Sequence, residues 1–186
     1  MKKIVLVALL ASVLVFAYGQ EQDPQADNNL DFGFAYLVAV SNGTGAGGPG
    51  LAVSWYNTKL FGPLGMGAYL NIAFPIFPNA NGGETNFGLV ASLLVGPSYM
   101  IYDNGVFAIP VTAGLHFDLV VPIGMAIVME RSPFEMAKIN LGIGADFDFV
   151  WRFSDKWHAY ARVMAVFNFG AIEFLMFPGL GVGFSF

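Results

Sequence analysis

Residues 139–154, "INLGIGADFDFVWRFS", admit one secondary structure and, through it, very few folds. The odd positions are Ile139, Leu141, Ile143, Ala145, Phe147, Phe149, Trp151 and Phe153, all apolar. The even positions are Asn140, Gly142, Gly144, Asp146, Asp148, Arg152 and Ser154, with Val150 as the exception. At the roughly 100° per residue of a helix, the two aspartates and the arginine would point to separate sides. In a strand they share one face, and every aromatic ring takes the other. The segment is therefore a strand with one greasy face and one polar face.

The same period-2 pattern recurs along the chain. Phe32, Phe34, Tyr36, Val38 and Val40 alternate with Asp31, Gly33, Ala35, Leu37 and Ala39. Leu64, Met66, Ala68, Leu70, Ile72 and Phe74 do so with Gly65, Gly67, Tyr69, Asn71 and Ala73. Phe107 to Leu119 and Trp157 to Phe167 repeat it, with His116 and Asp118, then His158, Tyr160 and Arg162, on the polar faces. Residues 51–57 and 87–102 are weaker members. The last is "GLGVGFSF" (179–186), apolar at every second position up to Phe186. The even number of strands suits a closed up-and-down barrel with both ends on one side.

Composition identifies the solvent of the greasy faces. The chain is 56% hydrophobic and 16% aromatic but only 11% charged, against about 25% charged in a soluble domain. Lipid admits only helices or closed barrels, because every backbone polar group must find a partner inside the protein. Long uncharged stretches do not suit helices: residues 60–83 carry Pro63, Pro75 and Pro78 with several glycines. The expected fold is an all-β, eight-stranded antiparallel up-and-down transmembrane barrel.

The chain begins with Lys2 and Lys3, an apolar run from Ile4 to Ala17, and Ala17-Tyr18-Gly19 before Gln20. That is the pattern of a secretory signal peptide over 1–19, too short to span as an anchor. Residues 20–29, "QEQDPQADNN", read as a disordered lead-in, and 30–186 as the barrel. Eight basic residues less Lys2 and Lys3 leave six against thirteen acidic, a mature charge of −7, which argues against a nucleic-acid partner. Without cysteine, no disulfide or thiolate metal site is possible.

Connections of unequal length join the strands. Residues 41–50, 77–86, 121–138 and 170–178 make long ones; 102–105, 154–156 and the link near 60–63 make tight turns. Trp55, Trp151 and Trp157 all fall at the short-turn ends, where indoles form an interfacial girdle. This pattern resembles the small eight-stranded outer-membrane barrels of Gram-negative-type bacteria, the OmpA membrane domain and OmpX among them. Gly181, Phe184 and Phe186 are similar to the C-terminal signal of that family, although a polar residue usually stands where Gly179 sits. The resemblance implies an outer-membrane location, lipid as surroundings, and recognition by the barrel-assembly machinery and periplasmic chaperones. It also implies a monomer, long connections outside and short turns in the periplasm.

The polar faces would line an interior just wide enough to be filled by side chains. They bring together Asp146, Asp148, Arg152, His158, Arg162, His116 and Asp118. A three-residue turn at 154–156 keeps β-strand phase and sets Asp148 opposite Arg162 and Arg152 opposite His158. The expectation is a buried Asp148–Arg162 ion pair extended by Asp146 and Arg152. Mixed signs favour a filled plug over a conducting path. His116 and Asp118, at i, i+2 spacing, have no third partner placed by the sequence. Ser132 beside Glu130 and Glu135 is the sole weak catalytic candidate, so the chain reads as a non-enzyme without cofactor or metal. The functional expectation is a filled structural or surface-interaction barrel. Its rival is a narrow pore or hydrophobic small-molecule conduit using the apolar connections 121–138 and 170–178.

Overall fold

The computed structural model describes residues 28–41, 44–61, 64–77, 86–169 and 174–186. The signal-peptide segment 1–19 and most of the lead-in lie outside these residues. The elements in order are β1 (Asn28–Ser41), β2 (Thr44–Phe61), β3 (Leu64–Ala73), β4 (Ile76–Phe77), β5 (Asn86–Phe87), β6 (Leu89–Asp103), β7 (Phe107–Val121), α1 (Ile123–Val128), β8 (Lys138–Arg152), β9 (Trp157–Asn168) and β10 (Phe174–Ser185). Each long strand pairs antiparallel with its neighbours in sequence, and β1 pairs with both β2 and β10. The wall is thus a closed barrel of eight strands, with no free edge. Phe186 N donates to Asn28 O at 2.9 Å, so the last residue closes on the first described one. The two-residue strands β4 and β5 extend the β3–β6 hairpin beyond Pro75, which interrupts the ladder.

Alternation decides which residues face out. Phe32, Phe34, Tyr36, Val38 and Val40 of β1 are exposed, whereas Asp31, Ala35, Leu37 and Ala39 are buried. Along β8, Ile139, Leu141, Ile143, Phe147, Phe149 and Trp151 are exposed, and Asn140, Asp146, Asp148 and Val150 are buried. Among the described residues no helix is long and apolar enough to cross a membrane; the apolar surface belongs to the strands.

Three sequence expectations change. Residues 44–50 are strand rather than loop, pairing with β1 from Gly50↔Ala35 to Thr44↔Ser41. Their glycines lack side chains, and therefore the alternation that would have marked them. Residues 174–178 also belong to a strand, β10, and its Leu175 and Phe177 turn into the lumen, both fully buried. Finally, β1 begins at Asn28 rather than at residue 30.

Candidate functional site: the filled lumen

The lumen divides into an ionic inner half, near the short turns and chain ends, and a largely apolar outer half. The β8–β9 register pairs Asp148 with Arg162 and Arg152 with His158. Arg162 sits at the centre of the inner half. Its Nε donates to Asp148 Oδ1 at 2.7 Å, and one terminal nitrogen donates to Asp148 Oδ2 at 3.3 Å, to Asp31 Oδ2 at 3.0 Å and to Ser54 Oγ at 2.5 Å. Its guanidinium lies between two rings, 4.7 Å from the Tyr69 centroid and 4.6 Å from that of Tyr160. Tyr69 also donates from its hydroxyl to Asp148 Oδ2 at 3.4 Å and shares a hydrogen bond with Thr112 at 3.0 Å. Planar, delocalised and permanently charged, arginine suits such a site better than lysine.

Asp31 is the partner that local reading missed. On β1, it ties Arg162 and His158 of β9 to Ser54 of β2: His158 Nε2 lies 2.7 Å from Asp31 Oδ1, and Ser54 Oγ donates to Asp31 Oδ2 at 3.1 Å. Ser185 on β10 donates to Asn29 on β1 at 2.7 Å, next to this cluster. The ionic core therefore spans the seam where the first and last strands meet. Gly183 leaves the room for it, since a Cβ there would collide with both Asp31 Oδ1 and His158 Nε2. Gly33 likewise leaves space for the Tyr160 hydroxyl. Asp146 is fully buried 3.5 Å from Arg162 Nε, and neither of its oxygens has a hydrogen-bond partner among the described residues.

Arg152 has its ion pair at the rim and not with Asp146 or Asp148. It turns to the inner rim and pairs with Asp103, Nη1 to Oδ1 at 2.6 Å and Nη2 to Oδ2 at 3.1 Å, both residues partly exposed. Lying at the strand end, its guanidinium reaches water and the neighbouring turn more readily than the strand-interior carboxylates. A cavity of about 530 Å³ opens at this rim, lined by Asn29, Asp103, Arg152, Ser154, Asp155 and Ser185.

Further out, His116 and Asp118 acquire the partners that the sequence left unplaced. His116 Nδ1 faces Asn168 Oδ1 at 3.0 Å and so carries a proton there; Nε2 lies 2.5 Å from Ser92 Oγ and 3.1 Å from Asp118 Oδ1. Asn168 Nδ2 donates to Asp118 Oδ2. A serine, a histidine and an orienting amide are the parts of an activated nucleophile. Here all are buried to within 1%, so Ser92 Oγ is closed off from solvent inside the barrel. Ser132, Glu130 and Glu135 lie exposed on the connection after α1, with Glu135 N donating to Ser132 O at 3.0 Å. Among the described residues no group of three or more metal-ligating side chains is placed to hold an ion.

The rest of the outer half is a hydrophobic plug. Leu37, Ala39, Tyr69, Ala73, Val90, Leu94, Met164, Val166, Leu175 and Phe177 form one buried cluster drawn from β1, β3, β6, β9 and β10. On the outside, Trp151 and Trp157 are half exposed at the inner rim. Trp157 meets Phe184 edge-on at 5.3 Å, and Phe184 stacks with Phe186 at 6.1 Å. Gly181 lies behind them against the Tyr160 ring. Trp55 shares the outward parity of Leu51 and Val53 but is only 6% exposed. Flanked by Leu30 and Ala68 and engaged in further contact, it differs from the two open indoles.

A closed eight-stranded barrel with an apolar exterior and a partly ionic interior has the architecture of transmembrane β-barrels. No protein-family model matches the chain, and no curated protein matches it. Solved structures share its fold. Neisserial surface protein A is 12% identical over 86% of this chain and 97% of its own, with a TM-score of 0.64. Ail of Yersinia pestis, in complex with the heparin analogue sucrose octasulfate, is 12% identical over 87% and 99%, with a TM-score of 0.60. The outer membrane protein OprG of Pseudomonas aeruginosa is 11% identical over 87% and 96%, with a TM-score of 0.59. The chain has the fold of small outer-membrane barrels.

Proposed function

We propose that the protein is a monomeric integral outer-membrane barrel with a sealed lumen, stiffening the membrane and meeting partners through its outer connections. The observation that carries this reading is the apolar cluster across the outer half, stacked on the ring-sandwiched Arg162. Ion paths are lined by polar or charged groups, and here an apolar layer lies across the outer half above the ionic one. The conduit reading loses support from β10, because Leu175 and Phe177 of the apolar segment 170–178 belong to the plug. The reading includes export through the secretory pathway, and Gly181, Phe184 and Phe186 as the address read by the assembly machinery and its chaperones. It assigns the chain no reaction.

Two measurements test it together. The protein should survive carbonate washing in the outer-membrane fraction, and liposomes containing it should take up a hydrophobic tracer no faster than empty ones. Loss on washing would remove the membrane reading; tracer uptake would replace the sealed barrel with a conduit.

A further inference from the structure

The connection between β7 and β8 exposes more apolar surface than a water-facing loop should. Ile127 is 64% exposed, Val128 72%, Met129 55% and Phe134 79%. The segment is nonetheless ordered against the rim. Ala126 is fully buried, Gly124 lies against the Phe87 ring of β5, and Arg131 N donates to Ala126 O at 3.0 Å. The apolar side chains are thus held exposed by a folded turn.

The height of this segment decides what it meets. On β8, twelve residues separate Trp151, at the inner girdle, from Ile139. At about 3.3 Å per residue and a tilt of about 40°, that is roughly 30 Å along the barrel axis. The apolar band of such barrels is about 25 Å tall, so Ile139 lies near its outer limit. On β9, the ten residues from Trp157 to Phe167 span roughly 25 Å by the same reckoning. Phe167 and Phe169 meet edge-on at 5.9 Å, Phe169 is 70% exposed, and its N–H reaches Leu141 O at 2.9 Å. These rings mark an outer aromatic rim beside the start of β8. The connection between β7 and β8 therefore leaves and rejoins the wall at headgroup level, where β8 starts with the exposed Ile139 and Leu141.

We propose that residues 122–137 rest on the outer leaflet, with Ile127, Val128, Met129 and Phe134 in the boundary between headgroups and acyl chains. Interfacial helices bury their apolar side about 5–10 Å into that boundary. The exposed charges of Glu130, Arg131, Glu135 and Lys138 stay at headgroup level. The segment is then a lipid-contacting collar rather than the mouth of a conduit. The proposal rests on the membrane-spanning reading.

The chain has no cysteine, so single probes can be placed cleanly. V128C and F134C, each carrying an environment-sensitive fluorophore, are compared with D155C on an exposed short turn and F149C on the lipid belt. All four are reconstituted in phosphatidylethanolamine–phosphatidylglycerol vesicles bearing a nitroxide near the headgroup or deep in the chain, with folding checked by heat-modifiable mobility. Labels at 128 and 134 should lose most of their emission to the shallow nitroxide, and the label at 149 to the deep one, while that at 155 stays bright. If the 128 and 134 labels stay as bright as the 155 label while the 149 label is quenched, the collar is overturned and the spanning barrel stands. If the 149 label is also unquenched, the spanning reading falls with it.

Discussion

Replacing Arg162 with leucine removes the one group that links β1, β2, β8 and the rings of β3 and β9. Asp148 then loses both of its charged hydrogen bonds, and Asp31 keeps only His158 and Ser54. Breaking a buried ion pair by removing one partner costs about 3–5 kcal/mol, because the other charge stays buried. The cation held between Tyr69 and Tyr160 adds about 0.5–2 kcal/mol. Arg162→Leu should therefore lower the unfolding free energy by about 3.5–7 kcal/mol, a large part of the stability of a typical domain. Urea unfolding of the reconstituted protein, followed by tryptophan emission, measures it. The double variant Arg162→Leu/Asp148→Leu should recover part of the loss, since it removes the stranded carboxylate. A loss below about 1 kcal/mol for the single variant, the level of an exposed pair, would refute the central place given to Arg162.

Further predictions follow from the same geometry. Arg152→Ala, breaking the partly exposed bridge to Asp103, should cost no more than about 1 kcal/mol in the same urea experiment. Gly183→Val should sharply reduce the yield of heat-modifiable folded barrel, because its Cβ would collide with Asp31 and His158. Tyr160→Phe should change stability by less than about 1 kcal/mol, since the hydroxyl has no hydrogen-bond partner among the described residues. Tyr160→Leu should lose about 1–2 kcal/mol more as the ring beneath Arg162 disappears.

The strand pattern was legible wherever large apolar residues alternate with polar ones, as along β8 and β9, and so was the Asp148–Arg162 register across the tight turn. Both are local properties. Asp31 was visible as an inward residue of β1, but its link to Arg162 crosses 131 positions and exists only once β1 and β10 meet. The Ser92–His116–Asn168 group rests on the registers His116↔Gly142 and Gly142↔Asn168, the first of which lies across a long connection whose geometry the sequence does not state. Residues 44–50 were illegible as strand because glycine carries no alternation. Leu175 and Phe177 read as loop residues because an apolar side chain that plugs a lumen looks, in sequence, like one that faces lipid. Arg152 was assigned inward by parity alone, and parity does not say that a residue at a strand end can turn towards the rim.

The sealed lumen is tested most directly by conductance of the purified protein in planar lipid bilayers. Incorporated protein, verified as folded by its heat-modifiable mobility, should leave the bilayer at its bare-lipid current across the voltage range. Reproducible unitary current steps would contradict the filled barrel, for ions would then be passing the layers formed by Arg162, Leu94, Met164 and Phe177.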